Sequence, residues 1–173
     1  MEKLICFSAS SFGKAYANFM RAVAKPSRIN EQHQKEWDFI GSELYSVWAM
    51  KYSKKNNLLW NKINIGDMAL FYGDRKFIGY GRIKFTVQNE RIAKEYFHDP
   101  IYSLIIGLEP VVLVESNREK MWQLFRYAAG ARVQGMMIPN LQKQQRILSN
   151  YETIFDFLKY ILDLDEMPDH EAL

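Results

Sequence analysis

Trp48 lies in a short apolar segment, 44–50, that is followed at once by a polar loop rich in lysine. A flat apolar ring can stack on an extruded nucleic-acid base, and a methyl group on that base adds contact area that water solvates poorly. Taken alone, a tryptophan in such a segment is more typical of a strand in a protein core. Trp48 is therefore a candidate wall of a base pocket only where other features also point to nucleic acid.

Tyr72 and Asp74 are further candidates because they lie at and just beyond the end of an apolar run. The phenol of Tyr72 could present its ring to a base and its hydroxyl to a polar edge. The carboxylate of Asp74 could accept a hydrogen bond from an exocyclic amine, although an aspartate in Gly-Asp-Arg-Lys is also ordinary turn chemistry. The other candidates for contacts with the base are Trp60, Tyr96, Phe97 and Asn57, with loop capping as the alternative role of Asn57.

Basic side chains are frequent in the loops and strand ends around these aromatic residues, where they could contact phosphates. A solvated basic surface is the alternative. Arg126 lies before Gly130 and Arg132 after it, and both could extend a basic surface along a duplex. The candidate phosphate-binding residues are Lys51, Lys54, Lys55, Arg75, Lys76, Arg82, Lys84 and Arg132.

The formal net charge of +3 conceals an uneven distribution of charge along the chain. Residues 151–173 contain seven acidic residues and one basic residue, Lys159, which leaves 22 basic and 13 acidic residues in positions 1–150. Such a basic body favours a polyanionic partner through phosphate contacts and counterion release. The sequence therefore favours DNA or RNA as the partner.

Residues that could carry out catalysis are scattered. His33, His98 and His170 have no second histidine or cysteine at metal-ligand spacing, and Cys6 has no partner cysteine for a disulfide. The glycine pair at 79–82 lacks the pattern of a phosphate-binding loop. We expect a binding domain without catalytic activity or cofactor, in a reducing cytoplasmic compartment, with no membrane-spanning segment.

The order of predicted elements indicates an α+β fold, a small mixed sheet or open barrel with helices around it. We expect one domain over 1–162 and an acidic tail or linker over 163–173. A hairpin turn is predicted at 73–76, and a break in the sheet at Pro110. The predicted strands cover 3–8, 44–50, 67–72, 77–87 and 101–114. The predicted helices are one capped by Ser10 or Ser11, one over 31–39, one capped by Asn89, one from Ser116 to a C-cap at Gly130, and one opened by Asn150.

Three segments in order resemble the PUA-like superfamily that contains EVE and YTH domains. They are VWAM at 47–50 with the asparagines that follow, IGD at 65–67 leading into LFY at 70–72, and FIGYGRI at 77–83. In YTH domains the tryptophan of the first segment forms one wall of a cage for a methylated adenine. The resemblance implies that role for Trp48.

The later part of the chain is similar to the N-terminal recognition domains of Mcr-type modification-dependent restriction complexes. The similarity lies in an Ile-Ala helix, an Asp-Pro turn and RVQG at 132–135 before a terminal amphipathic helix. It implies a domain that binds modified DNA, with an AAA+ GTPase motor and a nuclease subunit as partners outside this chain.

Two positions depart from the YTH pattern. Where YTH proteins commonly place an asparagine after the first strand, this chain has Phe-Ser-Ala-Ser, so hydrogen bonds to the base fall to Ser8, Ser10 or backbone groups. Met50 replaces the threonine of the tryptophan motif and adds apolar bulk. N6-methyladenine, 5-methylcytosine and 5-hydroxymethylcytosine all fit an aromatic pocket of this kind.

We therefore predict a DNA-binding module that extrudes one modified base into an aromatic pocket. An RNA-binding domain of the same fold, which reads a modified or single-stranded base, is the first alternative. A domain that binds a protein or a small metabolite is the second.

Overall fold

The computed structural model describes residues 2–10, 13–29 and 43–164. The predicted helix at 31–39 and the tail from residue 165 onward lie outside these ranges. Within them, eight strands form a mixed sheet with helices around it, and the sheet does not close into a barrel. The predicted α+β class with an open sheet is confirmed.

The strands follow the chain as β1 to β8. They are β1 (Leu4–Ser8), β2 (Ser27–Arg28), β3 (Leu44–Met50), β4 (Met68–Gly73), β5 (Lys76–Gln88), β6 (Leu104–Leu108), β7 (Val112–Asn117) and β8 (Met136–Met137). The order across the sheet is β2-β3-β6-β5-β4-β1-β8, with β7 paired to β5. β1 runs parallel to β4, whereas the other pairs are antiparallel.

The 13-residue β5 organises the sheet because its two halves have different neighbours. Its first half pairs with β4 on one side and β7 on the other, and its second half pairs with β6. Glu109, Pro110 and Val111 separate β6 from β7, so the predicted break at Pro110 is confirmed. At Gly107 a Cβ atom would lie 2.1 Å from the ring of Phe85, so a larger side chain would displace that ring from the core.

The helices are short, and most begin at a polar cap. They are α1 (Lys14–Asn18), which continues as a π-helical turn over Phe19–Val23, α2 (Lys54–Trp60), α3 (Glu90–Phe97), α4 (Glu119–Phe125), α5 (Leu141–Leu148) and α6 (Ile154–Ile161). Ser53, Asn89, Asn140 and Thr153 each accept a hydrogen bond from a backbone N–H in the first turn of the helix that follows. The predicted cap at Asn89 is confirmed.

Several predicted helix ends are wrong. α4 begins after Arg118 without a side-chain cap, because Ser116 belongs to β7, and it ends at Phe125, where Arg126 rather than Gly130 adopts the left-handed conformation. Thr153, not Asn150, opens α6, in a capping box with Asp156. α1 begins after Gly13 rather than after Ser10. The lysine-rich segment predicted as a loop forms α2, and α5 was not predicted.

Three groups of buried residues form the core. One lies between the sheet and helices α4 and α6, and includes Phe77, Trp122 and Phe157. The second is packed around Phe71, and the third around Phe85 and α3. The turn between β4 and β5 therefore extends from two strands whose side chains are packed in the first and second of these groups.

Candidate functional site

The turn between β4 and β5 carries two exposed charged residues in an unusual conformation. Asp74 and Arg75 have φ angles of 52° and 61°, in the left-handed region that glycine and asparagine normally occupy. Gly73 pairs with Lys76 across them, so the predicted hairpin is confirmed. A two-residue turn of this hand matches the right-handed twist of the flanking strands. Its cost is local backbone strain, which is concentrated at functional sites in proteins.

A cleft of about 490 Å³ lies on one side of this turn, and we call it the serine cleft. Ser8 lies beside Tyr72 in the parallel pair β1 and β4, and its N–H donates to the carbonyl of Gly135 at 2.7 Å. A Cβ on Gly73 would lie 2.4 Å from the carbonyl oxygen of Ala9, so glycine allows the ends of the two strands to approach. The cleft is lined by Ser8, Ser10, Tyr72, Gly73, Asp74, Arg75, Arg132 and Val133.

The serine cleft brings together six residues that the sequence analysis named. Ser8, Ser10, Tyr72 and Asp74 were candidates for contact with a base, and Arg75 and Arg132 were candidates for contact with phosphate. They come from positions as distant as 8 and 132, so their meeting depends on the sheet. Hydroxyls, a carboxylate, a phenol and two guanidinium groups around one cleft can bind a polar, anionic ligand.

A second cleft, of about 760 Å³, also borders the turn, and we call it the tryptophan cleft. Its volume falls within the range of about 300–1,000 Å³ that is usual for small-ligand sites. Asp74 and Arg75 line both clefts. The remaining lining residues are Lys76, Asn117, Arg118, Glu119, Trp122, Gln123, Arg126, Tyr127 and Ala129.

Arg118 joins the elements that form the two clefts. Its guanidinium donates to the hydroxyl of Tyr72 at 2.7 Å and to the carbonyls of Ala129 and Ala131, both at 2.6 Å. It also lies 4.6 Å from the ring centre of Trp122. Arg118 therefore fixes the loop after α4, which carries Arg126 and Arg132, against the end of β4.

The rings of Tyr72 and Trp122 are stacked, with centres 5.7 Å apart and planes 12° from parallel. Both are largely buried, at 5% and 6% exposed. Tyr127 lines the tryptophan cleft together with Trp122. Burial raises the pKa of its phenol to about 12, so the phenol is protonated at neutral pH. These rings form a rigid apolar wall beneath the charged groups.

The cations on the two clefts have few acidic partners. Arg75, Arg118, Arg126 and Arg132 make no ion pair with any residue in the described ranges, whereas Lys76 pairs with Glu115 at 2.7 Å. The acidic groups on the clefts are Asp74 and Glu119. The result is a local excess of positive charge, which attracts anions.

The lysines predicted to contact phosphate do not all lie at these clefts. Met50 and Gln88 both pair with Leu104, which places Lys51, Lys54 and Lys55, together with Asn57, at the far end of β5 from Lys76. At about 3.3 Å per residue, that strand is up to about 40 Å long. The lysines at 51–55 and the cations of the turn were grouped together in the prediction, but they form two separate basic regions.

Arg82 and Lys84 have acidic partners elsewhere. Arg82 forms an ion pair with Glu2 at 2.5 Å and donates to the carbonyl of Gly66 at 3.0 Å. Lys84 lies 3.7 Å from Glu109. The structure does not bring these two cations to either cleft.

The other aromatic candidates lie within or against the core. Trp48 is 7% exposed and meets Phe71 edge to face, with ring centres 5.6 Å apart. Trp60 donates from its indole to the carbonyl of Ile105 at 3.2 Å. Tyr96 hydrogen-bonds with Ser27 at 2.9 Å, and Phe97 is buried with α3. Their roles in holding a base stay predictions.

Sequence reasoning missed the tryptophan cleft. Asp74, Arg75, Lys76 and Arg126 were candidates, but the rest of the lining was assigned to a helix and its ends. Arg118 and Trp122 stand at the i, i+4 spacing that brings side chains together. The same reasoning could have recognised an arginine over an aromatic ring. It could not have placed that pair beside Tyr72, which is 46 residues away from Arg118.

The described residues contain neither a side-chain cluster for a metal ion nor a membrane-spanning helix. Among the described residues, no group of three or more histidine, cysteine, aspartate or glutamate side chains could hold a metal ion. Within the same ranges, no helix is both long and apolar enough to span a bilayer.

Comparisons with known proteins give a match among solved structures. No protein-family model matches the chain, and no curated protein does. A solved structure, the N-terminal domain of Thermococcus gammatolerans McrB bound to m5C DNA, matches with a TM-score of 0.63 and 16% sequence identity, over 93% of this chain and 99% of that one. The chain therefore has the fold of that McrB domain, which confirms the resemblance predicted from the sequence at the level of the fold.

Proposed function

We propose that this chain is a DNA-recognition module that binds duplex DNA and extrudes one modified base into the serine cleft. The observation that carries the proposal is the convergence of Ser8, Ser10, Tyr72, Asp74, Arg75 and Arg132 on one cleft. Tyr72, Asp74, Arg75 and Arg132 are candidates for nucleic-acid contact from their residue types and positions, and Ser8 and Ser10 are candidates from the comparison with the YTH pattern.

The likeness in fold supports the proposal. The McrB domain was solved with m5C DNA, and nearly the whole of both chains superimposes. A shared fold does not by itself fix a function. It gains weight here because the clefts carry arginines that form no ion pair with an acidic residue of the described part of the chain.

The groups on the serine cleft suit different parts of a nucleotide. Arg75 and Arg132 are exposed and can contact the phosphates on either side of the extruded residue. The hydroxyls of Ser8 and Ser10 and the carboxylate of Asp74 can bond the edge of the base, and Tyr72 supplies apolar surface. Extrusion costs about a few kcal/mol, which such contacts offset.

The predicted partners rest on the resemblance, and the predicted location rests on the single cysteine. An AAA+ GTPase motor and a nuclease as partners, and a cytoplasmic location, stay predictions. A module without catalysis of its own would act by delivering such partners to modified sites.

The two arginines of the serine cleft provide a test. Replacing Arg75 or Arg132 with glutamine should weaken duplex binding and reduce the slope of log K against log salt by about one for each lost phosphate contact. The measurement is a salt series of fluorescence-anisotropy titrations with one DNA duplex.

Arg146→Gln is the matched control, because Arg146 is exposed on α5 and lies on neither cleft. It should leave the slope close to that of the unaltered protein. Equal slopes for all three variants would show that phosphate is bound elsewhere and would contradict the proposed site.

A further inference from the structure

We infer that the tryptophan cleft is a second nucleotide subsite, which takes the nucleotide next to the extruded one and favours a base with an exocyclic amine. This inference rests on the proposed function. Its grounds are the position of the cleft, an unpaired donor in its wall and the chemistry of its rim.

The position of the cleft fits a neighbouring nucleotide. The two clefts meet at the turn, whose residues Asp74 and Arg75 line both. A DNA strand spans up to about 7 Å per nucleotide when extended, roughly twice its 3.4 Å rise in the duplex. A strand that crosses the turn with one residue in the serine cleft therefore brings the next one to the tryptophan cleft.

Trp122 provides an observation independent of charge. The indole lines the cleft and is 6% exposed. Among the side-chain nitrogen and oxygen atoms of the described residues, its Nε1 is the one that is buried without a hydrogen-bond partner. An unpaired buried donor costs free energy. A base that displaces the groups covering this nitrogen and presents an acceptor atom to it would remove that cost.

The rim of the cleft distinguishes between bases. Glu119 and Gln123 are both exposed on α4, and both line the cleft. An ionised carboxylate can only accept hydrogen bonds. Glu119 therefore matches the amino groups of cytosine, adenine and guanine, and it repels the carbonyl edge of thymine.

Cations on the same cleft can hold the phosphate of that nucleotide. Arg126 is exposed just after α4, in the left-handed conformation with φ of 55°, and Arg75 approaches from the turn. Arg118 lies over the Trp122 ring, so a base edge that reaches this wall meets a guanidinium plane as well as the indole.

The test is a set of duplexes that share one modified base and differ only in the neighbouring position on either side. The modified base is 5-methylcytosine, 5-hydroxymethylcytosine or N6-methyladenine, whichever the unaltered protein binds most tightly. The neighbour is cytosine, adenine, thymine or an abasic site. We expect the protein to bind duplexes with a neighbouring cytosine or adenine about tenfold more tightly than those with thymine or an abasic site, which is the effect of one good base contact.

Two variants assign that preference to the cleft. Glu119→Gln should remove most of the preference, because an amide can donate to thymine as well as accept from an amine. Trp122→Phe keeps a ring but removes the N–H, and should weaken binding when a neighbouring base is present but not when the site is abasic. Urea denaturation of each variant confirms that it is folded.

Glu152→Gln is the control, since it makes the same change of charge at an exposed position outside both clefts. Preference for modified DNA without regard to the neighbouring base would overturn the second subsite alone. So would a neighbour preference that Glu119→Gln and Trp122→Phe leave intact. Failure of the unaltered protein to prefer any modified duplex would instead contradict the proposed function.

Discussion

Replacement of Trp48 with alanine should lower the free energy of unfolding by about 3–5 kcal/mol, the usual cost of removing a large buried ring. Trp48 is 7% exposed, and its indole meets Phe71, itself fully buried against Phe7 and Phe19. Alanine would leave a cavity in the middle of this group, because β3 is held in the sheet by β6 and cannot collapse into the space. The measurement is urea denaturation followed by circular dichroism.

Trp48→Phe separates a role in the core from a role in the base pocket. Phenylalanine fills most of the volume, so its cost should be smaller than that of alanine, and selectivity for modified DNA should be retained. Loss of selectivity in a Trp48→Phe protein of nearly full stability would show that the indole itself contacts the base. That result would support the role that the resemblance to YTH domains implies for Trp48.

Replacement of Arg118 with methionine should have the second largest effect, on both stability and binding. Methionine keeps an apolar stem over Trp122 but removes the donors to Tyr72, Ala129 and Ala131. A hydrogen bond from a charged donor contributes about 1.5–3 kcal/mol to stability. The three bonds here are not additive, because they share one side chain and their acceptors are partly exposed. We therefore expect the free energy of unfolding to fall by about 2–3 kcal/mol in total.

Binding of DNA by Arg118→Met should fall by about tenfold, because the loop that carries Arg126 and Arg132 loses its attachment and those charges lose their fixed positions. Arg118→Lys keeps the charge but cannot span the three acceptors, so it should show nearly the same loss. Full binding by Arg118→Lys would show that charge alone matters. Full stability of both variants would contradict the role of Arg118 in fixing the loop.

The sheet was the part of the fold that sequence patterns predicted best. Apolar runs on both sides of Gly73–Lys76 indicated the hairpin, and each of the four strand ends lies one residue from its predicted position. Alternation is visible in β5, where buried and partly exposed residues follow each other. Such patterns are local, so a sequence displays them directly.

Helix ends were predicted less well, because several side chains compete for the same backbone groups. Ser116 and Glu119 have the spacing of a capping box, but β7 pairing extends through Asn117, and the side chain of Asn117 accepts from the N–H of Glu119 instead. The segment after β3 has lysines and asparagines typical of loops, yet Ser53 caps it and Trp60 docks on the sheet, which stabilises α2.

The sequence indicated which types of residue could form the candidate site, but not which of them lie together in space. Ser8, Tyr72, Asp74 and Arg75 line one cleft because β1 and β4 are neighbours. The lysines of α2 were grouped with Arg75 from their proximity in sequence, whereas β5 separates them in space. A contact such as that of Arg118 with Tyr72 depends on the packing of α4 against the sheet, which no local pattern reveals.

The most direct test of the central claim is a competition assay on one panel of short duplexes. The duplexes are identical except for a central base that is unmodified or carries 5-methylcytosine, 5-hydroxymethylcytosine or N6-methyladenine. At a fixed salt concentration we expect one modified duplex to bind at least about tenfold more tightly than its unmodified counterpart, within the range known for a single base contact. Equal affinity for every duplex in the panel would contradict the assignment of this chain as a reader of modified DNA.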